Sequence, residues 1–312
     1  MITRFIGIRF SFFILIVLCA LPLPLAAAGK GEGAEATDTA FRPLLPAHCG
    51  PFRRIVSLSP ALTEAVFALD AGELLVGRTD WCDWPPEAAA IPSVGGFSGA
   101  TISLESLRAL SPDLVLLSPM MHGRLVAPLE RAGIAVAGFD PDSFASIFET
   151  LEALARLLER EDAATRLLGE LKVLLESVRP VSSTASGGAG EGLPRVFYLL
   201  QDEPFMTAGS GNFIDELIKS AGGLNIFSDI DQAWPTVSFE AILLRRPTII
   251  LTDTATAARL LSPEHLAHSP LPALEAVKRG SVIALDPGEL SRPGPRLIAL
   301  VPTLARALEA AP

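Results

Sequence analysis

Clusters of basic residues are missing from this chain. Its 25 Lys and Arg are outnumbered by 35 Asp and Glu, for a formal net charge of −10. Binding nucleic acid requires a basic surface to neutralise phosphates, so no nucleic-acid partner is expected. Histidine is scarce, with His48, His122, His265 and His268 the only four. A free metal ion would need several of them gathered with carboxylates in one cleft. Only His265 and His268 are close in sequence, in a proline-bounded loop expected to face solvent, so no metal site is expected. Tyrosine is limited to Tyr198 and cysteine to Cys19, Cys49 and Cys82. A long hydrophobic run is absent too. The apolar stretch over residues 10–21 is too short to span a bilayer comfortably.

That stretch follows Arg4 and Arg9 and is followed by three alanines, Ala26, Ala27 and Ala28, before Gly29. Basic start, apolar run and small-residue site together predict a cleaved export signal over residues 1–28. Cys19 lies inside the apolar run, which fits a lipoprotein signal poorly, so a free chain in the periplasm of a bacterium is expected. Of the two cysteines left, Cys49 precedes one predicted strand and Cys82 follows the next. An oxidising compartment favours a disulfide, whereas a parallel strand pair would put them at opposite ends; the sequence leaves the pairing open.

What the chain does have is apolar mass: 312 residues, 49% hydrophobic against 19% charged, enough for two cores. Residues 143–180 stand out. Apolar side chains from Phe144 to Val178 recur at spacings of three and four with no proline between Ser143 and Pro180, which predicts one long amphipathic helix, Ser143 its N-cap. It would be on the order of 50 Å long, and a helix of that length joins two bodies. The acidic pair Glu161 and Asp162 could instead open a second helix. Short β-branched strands alternate with helices on both sides. The class is therefore α/β, two Rossmann-like lobes with parallel sheets, whose ligand sites lie at the carboxyl ends of strands. The predicted organisation is a flexible leader over 29–50, a first lobe over 51–142, the connecting helix over 143–180, a Gly/Ser-rich linker over 181–194 and a second lobe over 195–312.

One unit recurs. Ser103, Glu105 and Pro112 before the strand LVLL match Ser238, Glu240 and Pro247 before TIIL at identical spacing. A glutamate in the first turn of a helix can simply meet the helix dipole. A matched pair, one per lobe, would also suit docking onto a symmetric partner carrying basic residues. Trp81, Trp84 and Trp234 fall in predicted loops, joined by Phe97 and Phe205. Five loop aromatics shared between two lobes suggest walls for a large flat ligand. An enzyme is the alternative of another class, a secreted α/β hydrolase. GFSGA at residues 96–100 partly follows a nucleophile elbow, but the last glycine is missing and no strand leads in.

The blocks RRIVSLSPALTE, VGRTDWCDWPP, SLESLRALSPDLVLL and WPTVSFEAILLRRPTIIL resemble the periplasmic substrate-binding proteins of ABC importers for cobalamin, haem and iron-siderophores, most nearly the cobalamin branch. The resemblance covers nearly all of residues 53–308. It implies two α/β lobes joined by a single rigid helix, with a ligand cleft between them and no catalysis. It also implies a monomer that captures cobalamin or a related corrinoid, carries no cofactor of its own, and meets the membrane only through the dimeric permease of its transporter. By resemblance, Trp81, Phe97, Phe205 and Trp234 match ligand-contact positions, and Arg292 one that meets the polar side groups of a corrinoid. Glu105 and Glu240 match the two carboxylates that meet permease arginines. The acid and aromatics expected just before Arg292 are missing; the chain has Asp286, Pro287, Gly288, Glu289 and Leu290. Haem or a ferric siderophore is the alternative ligand, with Met120, Met121 and His122 after a first-lobe strand, or Tyr198, as the side chains nearest to axial ligands.

Overall fold

In the computed structural model, which describes residues 43–47, 50–178 and 192–311, strand and helix alternate as the apolar pattern predicts. The first lobe runs β1 (Ile55–Ser57), α1 (Pro60–Ala68), β2 (Leu75–Arg78), α2 (Leu104–Ala109), β3 (Leu114–Leu117), α3 (Pro119–Arg131) and β4 (Ala135–Gly138). Its strands are all parallel, in the order β2-β1-β3-β4. Helices α4 (Phe144–Leu158) and α5 (Glu161–Ser177) follow.

The second lobe opens with β5 (Arg195–Tyr198) and a hairpin of β6 (Gln201–Asp202) with β7 (Phe205–Met206). Then come α6 (Phe213–Ser220), β8 (Leu224–Asn225), α7 (Phe239–Leu244) and β9 (Ile249–Asp253). Helices α8 (Thr254–Leu260), α9 (Pro263–Leu266) and α10 (Glu275–Lys278) lead to β10 (Val282–Leu285), and α11 (Pro287–Ser291), α12 (Pro295–Ala299) and α13 (Val301–Ala310) close the chain. Its parallel sheet is ordered β8-β5-β9-β10. Position for position this is the order of the first sheet, so the lobes are one topology used twice.

Side chains alternate across each strand, and the cores follow. Ile55, Leu114, Leu116, Ala135 and Ala137 join one cluster, while Val56, Val115, Leu117 and Val136 turn to the opposite face, under α2 and α3. In the second lobe Val196, Tyr198, Ile249 and Leu251 belong to the same large cluster as the first set, and Phe197, Leu199 and Ile250 to a third. The large cluster is therefore common to both lobes, filled between them by α4, α5, α12 and α13. All described residues form one compact unit.

The single connecting rod is corrected to two helices. Glu159 ends α4 in the left-handed region, φ 55° and ψ 52°, a conformation that costs a non-glycine residue on the order of 1 kcal/mol. Contacts to the first lobe over-determine the break: Glu159 pairs with Arg53 at 2.7 Å, and Arg160 donates to the Asp70 carbonyl at 3.1 Å and to Glu73 at 2.7 Å. Glu161 and Asp162 then lie in the first turn of α5, where their charge meets the positive end of the dipole. At the other end Ser143 caps α4 as expected, accepting from Ser146 N at 3.2 Å.

The leader is corrected in part, since Leu44 pairs with Gly138 on the edge of β4 through two backbone hydrogen bonds of 2.7 and 2.8 Å. Residues 271–278 form a 3-10 turn (Leu271–Ala273) followed by α10, and two helices, α12 and α13, close the chain. The predicted export signal, Cys19, most of the predicted leader with His48 and Cys49, and most of the predicted linker lie outside the described residues. Cys82 is a buried free thiol, 3.2 Å from the Thr79 hydroxyl. Burial pushes its pKa up.

Candidate functional site

Each of the five residues expected at a ligand follows the carboxyl end of a strand in one or other parallel sheet. Trp81 and Phe97 lie beyond β2, Phe205 and Trp234 beyond β5 and β8, and Arg292 beyond β10. In the first lobe Trp81 and Phe97 meet edge to face, 6.3 Å between centroids, and Phe97 in turn meets the His122 ring at 6.2 Å. In the second, Trp234 packs on Phe213 at 5.5 Å and on Tyr198 at 6.4 Å. Phe205 lies 6.0 Å from Phe239, on the helix that carries Glu240. The first-lobe rings are half-buried, as are Phe205 and Trp234. Trp234 also lies against the shared core. Trp84 stands apart, 41% exposed, with the Arg296 guanidinium 4.4 Å over its ring.

Arg292 joins the two sets. Its Nη1 donates to Glu64 at 2.8 Å and pairs with Asp83 at 2.7 Å, and its Nη2 donates to the Trp81 carbonyl at 3.1 Å. The loop after β10 is therefore in contact with the loop after β2, which brings these edges of the two lobes together. Burial opposes the charge of Arg292, but the hydrogen bonds to Asp83 and Glu64 hold its pKa up. Glu64, Asp83 and Arg296 escaped the sequence reading; an acid within the helical segment ALTEA has no signal of its own. Asp286 serves as the N-cap of α11, accepting from Glu289 N at 3.1 Å. Glu289 stands 3.7 Å from Arg296, and burial pushes its pKa up.

Of the side chains nearest to axial iron ligands, His122 and Tyr198 are otherwise engaged. His122 is fully buried: its Nδ1 accepts from Ser118 N at 3.2 Å, and Nε2 is 2.8 Å from the Phe97 carbonyl. Nδ1 as acceptor makes Nε2 the donor, a neutral tautomer with both nitrogens used. Burial lowers its pKa, which keeps it so. Tyr198 is buried in β5, and burial drives its pKa up. Met120 and Met121 are exposed on the first turn of α3. Among the described residues no three His, Cys, Asp or Glu side chains stand together as a metal-binding set. Ser98 of the elbow-like segment lies in a turn against Thr101, with hydroxyls 3.4 Å apart, so no strand-to-helix elbow forms.

His265 is a correction. It does not face solvent freely but stands 2.9 Å from Asp202, which Arg259 grips with both Nη atoms at 2.8 and 3.3 Å. The cluster fixes the β6–β7 hairpin that presents Phe205. Burial pushes the Asp202 carboxyl up, but the hydrogen bond and charge of Arg259 outweigh it and hold the pKa below the usual range. Such a group stabilises the fold above its unfolded pKa, about 4, and loses that contribution as pH falls through the folded value. Urea unfolding of Asp202→Asn between about pH 7 and pH 3 should therefore show a lower plateau and a flatter acid limb than the parent. Parallel curves would remove Asp202 from the account.

Glu105 and Glu240 occupy equivalent places. Each is the second residue of a six-residue helix capped by a serine, Ser103 accepting from Ser106 N at 3.1 Å and Ser238 from Ala241 N at 3.2 Å. Both glutamates are exposed. Hydrogen bonds from the Glu240 backbone N–H and from Ser238 lower the Glu240 pKa. The likeness extends past the helices. Ser111 and Arg246 are both left-handed, φ 46° and 44°, and Arg54 and Arg195 donate to the carbonyls of Leu110 and Ser111 and of Arg245 and Arg246 respectively.

The sequence pattern of periplasmic binding proteins matches residues 55–288. A vitamin B12-binding protein of Salmonella choleraesuis is 32% identical over 260 residues, 82% of this chain and 90% of that one. The crystal structure of the periplasmic vitamin B12 binding protein BtuF of Vibrio cholerae superposes with a TM-score of 0.65 at 27% identity, covering 83% and 97% of the two chains. The periplasmic haem-binding protein BhuT with two haems superposes at 0.70 and 29% identity, covering 82% and 97%.

Proposed function

This chain belongs to the periplasmic binding protein family, and from that premise we propose that it captures cobalamin or a related corrinoid and delivers it to the permease of an ABC importer. It is a binding protein and not an enzyme. The exported chain works as a monomer in the periplasm after loss of residues 1–28, and reaches the membrane only through the dimeric permease. Curated relatives named for vitamin B12 support the ligand class.

The state of His122 supports corrinoid over haem in this chain. Haem iron needs an axial donor from the protein, whereas a corrinoid brings its own cobalt ligands. His122 gives one nitrogen to Ser118 N and the other to the Phe97 carbonyl, and Tyr198 is shut into the core. Ligand recognition then falls to aromatic area, from Trp81 and Phe97 on one side and Phe205 and Trp234 on the other, with Arg292 for polar side groups. Among the described residues, three of the five guanidinium N–H groups of Arg292 hold protein acceptors, which leaves the Nε–H and one Nη2–H for a ligand oxygen.

Titrating the purified protein with cyanocobalamin, haemin and a ferric siderophore tests the assignment. Cyanocobalamin should bind with the lowest Kd. Haemin, if it binds at all, should do so without the spectral shift of a nitrogen-ligated iron. Tight haemin binding with a ligated spectrum, lost in His122→Ala, would transfer the protein to the haem branch.

A further inference from the structure

The carboxylate shared by the two lobes lies beneath the ligand-bearing loops. Glu64 is in α1 with its side chain 3% exposed. Its hydrogen bonds among the described residues all come from the other lobe: Arg292 Nη1 at 2.8 Å and Arg296 Nη2 at 2.7 Å on Oε1, and Arg296 Nε at 2.8 Å on Oε2. A carboxylate buried so deeply persists only with charge partners on its oxygens, and here those partners exist only while the lobes keep their present separation. From this anchor Arg292 reaches the Trp81 carbonyl and Asp83, and Arg296 covers the ring of Trp84.

We propose that Glu64 is the positioning residue of the ligand cleft, fixing the distance between the two aromatic walls and aiming Arg292. The α4–α5 connection is not a rod, since it is broken at Glu159, and the apolar core shared by the lobes is non-directional packing. A bidentate guanidinium–carboxylate fork is directional and short-ranged. The ligand half of this inference rests on the corrinoid reading; the geometric half does not.

The test therefore has two arms. In the first, nitroxides are placed at the exposed positions Arg108 and Leu243, one per lobe, in a Cys49→Ser background, and the interlobe distance is measured by double electron–electron resonance without ligand. The parent should give one narrow distribution and Glu64→Gln a broadened or displaced one, because the amide loses the negative charge and turns an NH2 toward Arg296 Nε where Oε2 accepted. In the second arm, Glu64→Gln should weaken cyanocobalamin binding by roughly tenfold. The double variant with Arg292→Gln should bind no more weakly than Arg292→Gln alone, a non-additivity that general destabilisation would not produce.

A Glu64→Gln distribution as narrow as the parent's and centred at the same distance overturns the proposal, and so do additive losses of affinity. Should Glu64→Gln fail to fold, Arg296→Gln carries the distance arm, and an unchanged distribution there also overturns it. If the parent does not bind cyanocobalamin, the corrinoid reading falls while the distance arm still decides the role of Glu64.

Discussion

Trp81→Ala should raise the Kd for cyanocobalamin by roughly thirtyfold, about 2 kcal/mol, while scarcely moving the unfolding midpoint. Trp234→Ala should weaken binding by a similar factor and also cost on the order of 2 kcal/mol of stability. The difference follows from what each ring touches. Trp81 meets Phe97 and its loop is held through its backbone carbonyl by Arg292, so truncating the indole leaves the loop anchored. Trp234 is wedged against Phe213 and Tyr198 on the shared core, and its removal opens a cavity that neighbours fill only in part. Isothermal titration and chemical denaturation on both variants separate the two effects. An unchanged affinity in Trp81→Ala would take the first-lobe wall out of the ligand site.

The repeated unit shows how far residues alone could go. Ser103-x-Glu105 and Ser238-x-Glu240 announced themselves through serine caps and a fixed distance to proline and strand, local chemistry that a sequence displays directly. The hydrophobic alternation within β3 and β9 was equally plain. The break before α5 was legible only as an alternative, through Glu161 and Asp162, because glutamate and arginine are good helix formers; Arg53, Asp70 and Glu73, remote in sequence, enforce it. Helix α3 begins at Pro119 under a Ser118 cap, a start signal overshadowed by Gly123 and by Pro128 inside the helix. The hairpin of β6 and β7 has two-residue strands around Pro204, too short for any periodicity. The roles of Glu64 and Asp202 are the same kind of case. A buried acid is recognisable only once its arginines are known, and those arrive from Arg292 and Arg296 in one case and Arg259 in the other.

Charge reversal at the paired glutamates should produce the largest loss of function with the smallest change in the protein itself. Glu105→Arg and Glu240→Arg should each cut corrinoid uptake by about tenfold or more, and the double variant should compound the two losses, since like charges facing each other across an interface cost several kcal/mol and distant sites add. Cyanocobalamin affinity and unfolding midpoint should stay at parental values. Each helix start is already capped by its serine, and each glutamate is exposed. Uptake in cells and pull-down with the permease measure the loss. The two glutamate helices are also tied to the proposed ligand loops by matching backbone bridges: Gly95 pairs with Ile102 just before Ser103, and Met206 with Thr236 just before Ser238. Ring contact of Phe205 with Phe239 adds a second tie in the second lobe only. A ligand that orders the Phe205 hairpin would therefore bear directly on the start of α7, so in pull-downs the advantage of loaded over empty protein should depend on Glu240 more than on Glu105. Equal dependence would leave ligand occupancy and docking uncoupled, and full uptake in the double variant would move the docking surface elsewhere.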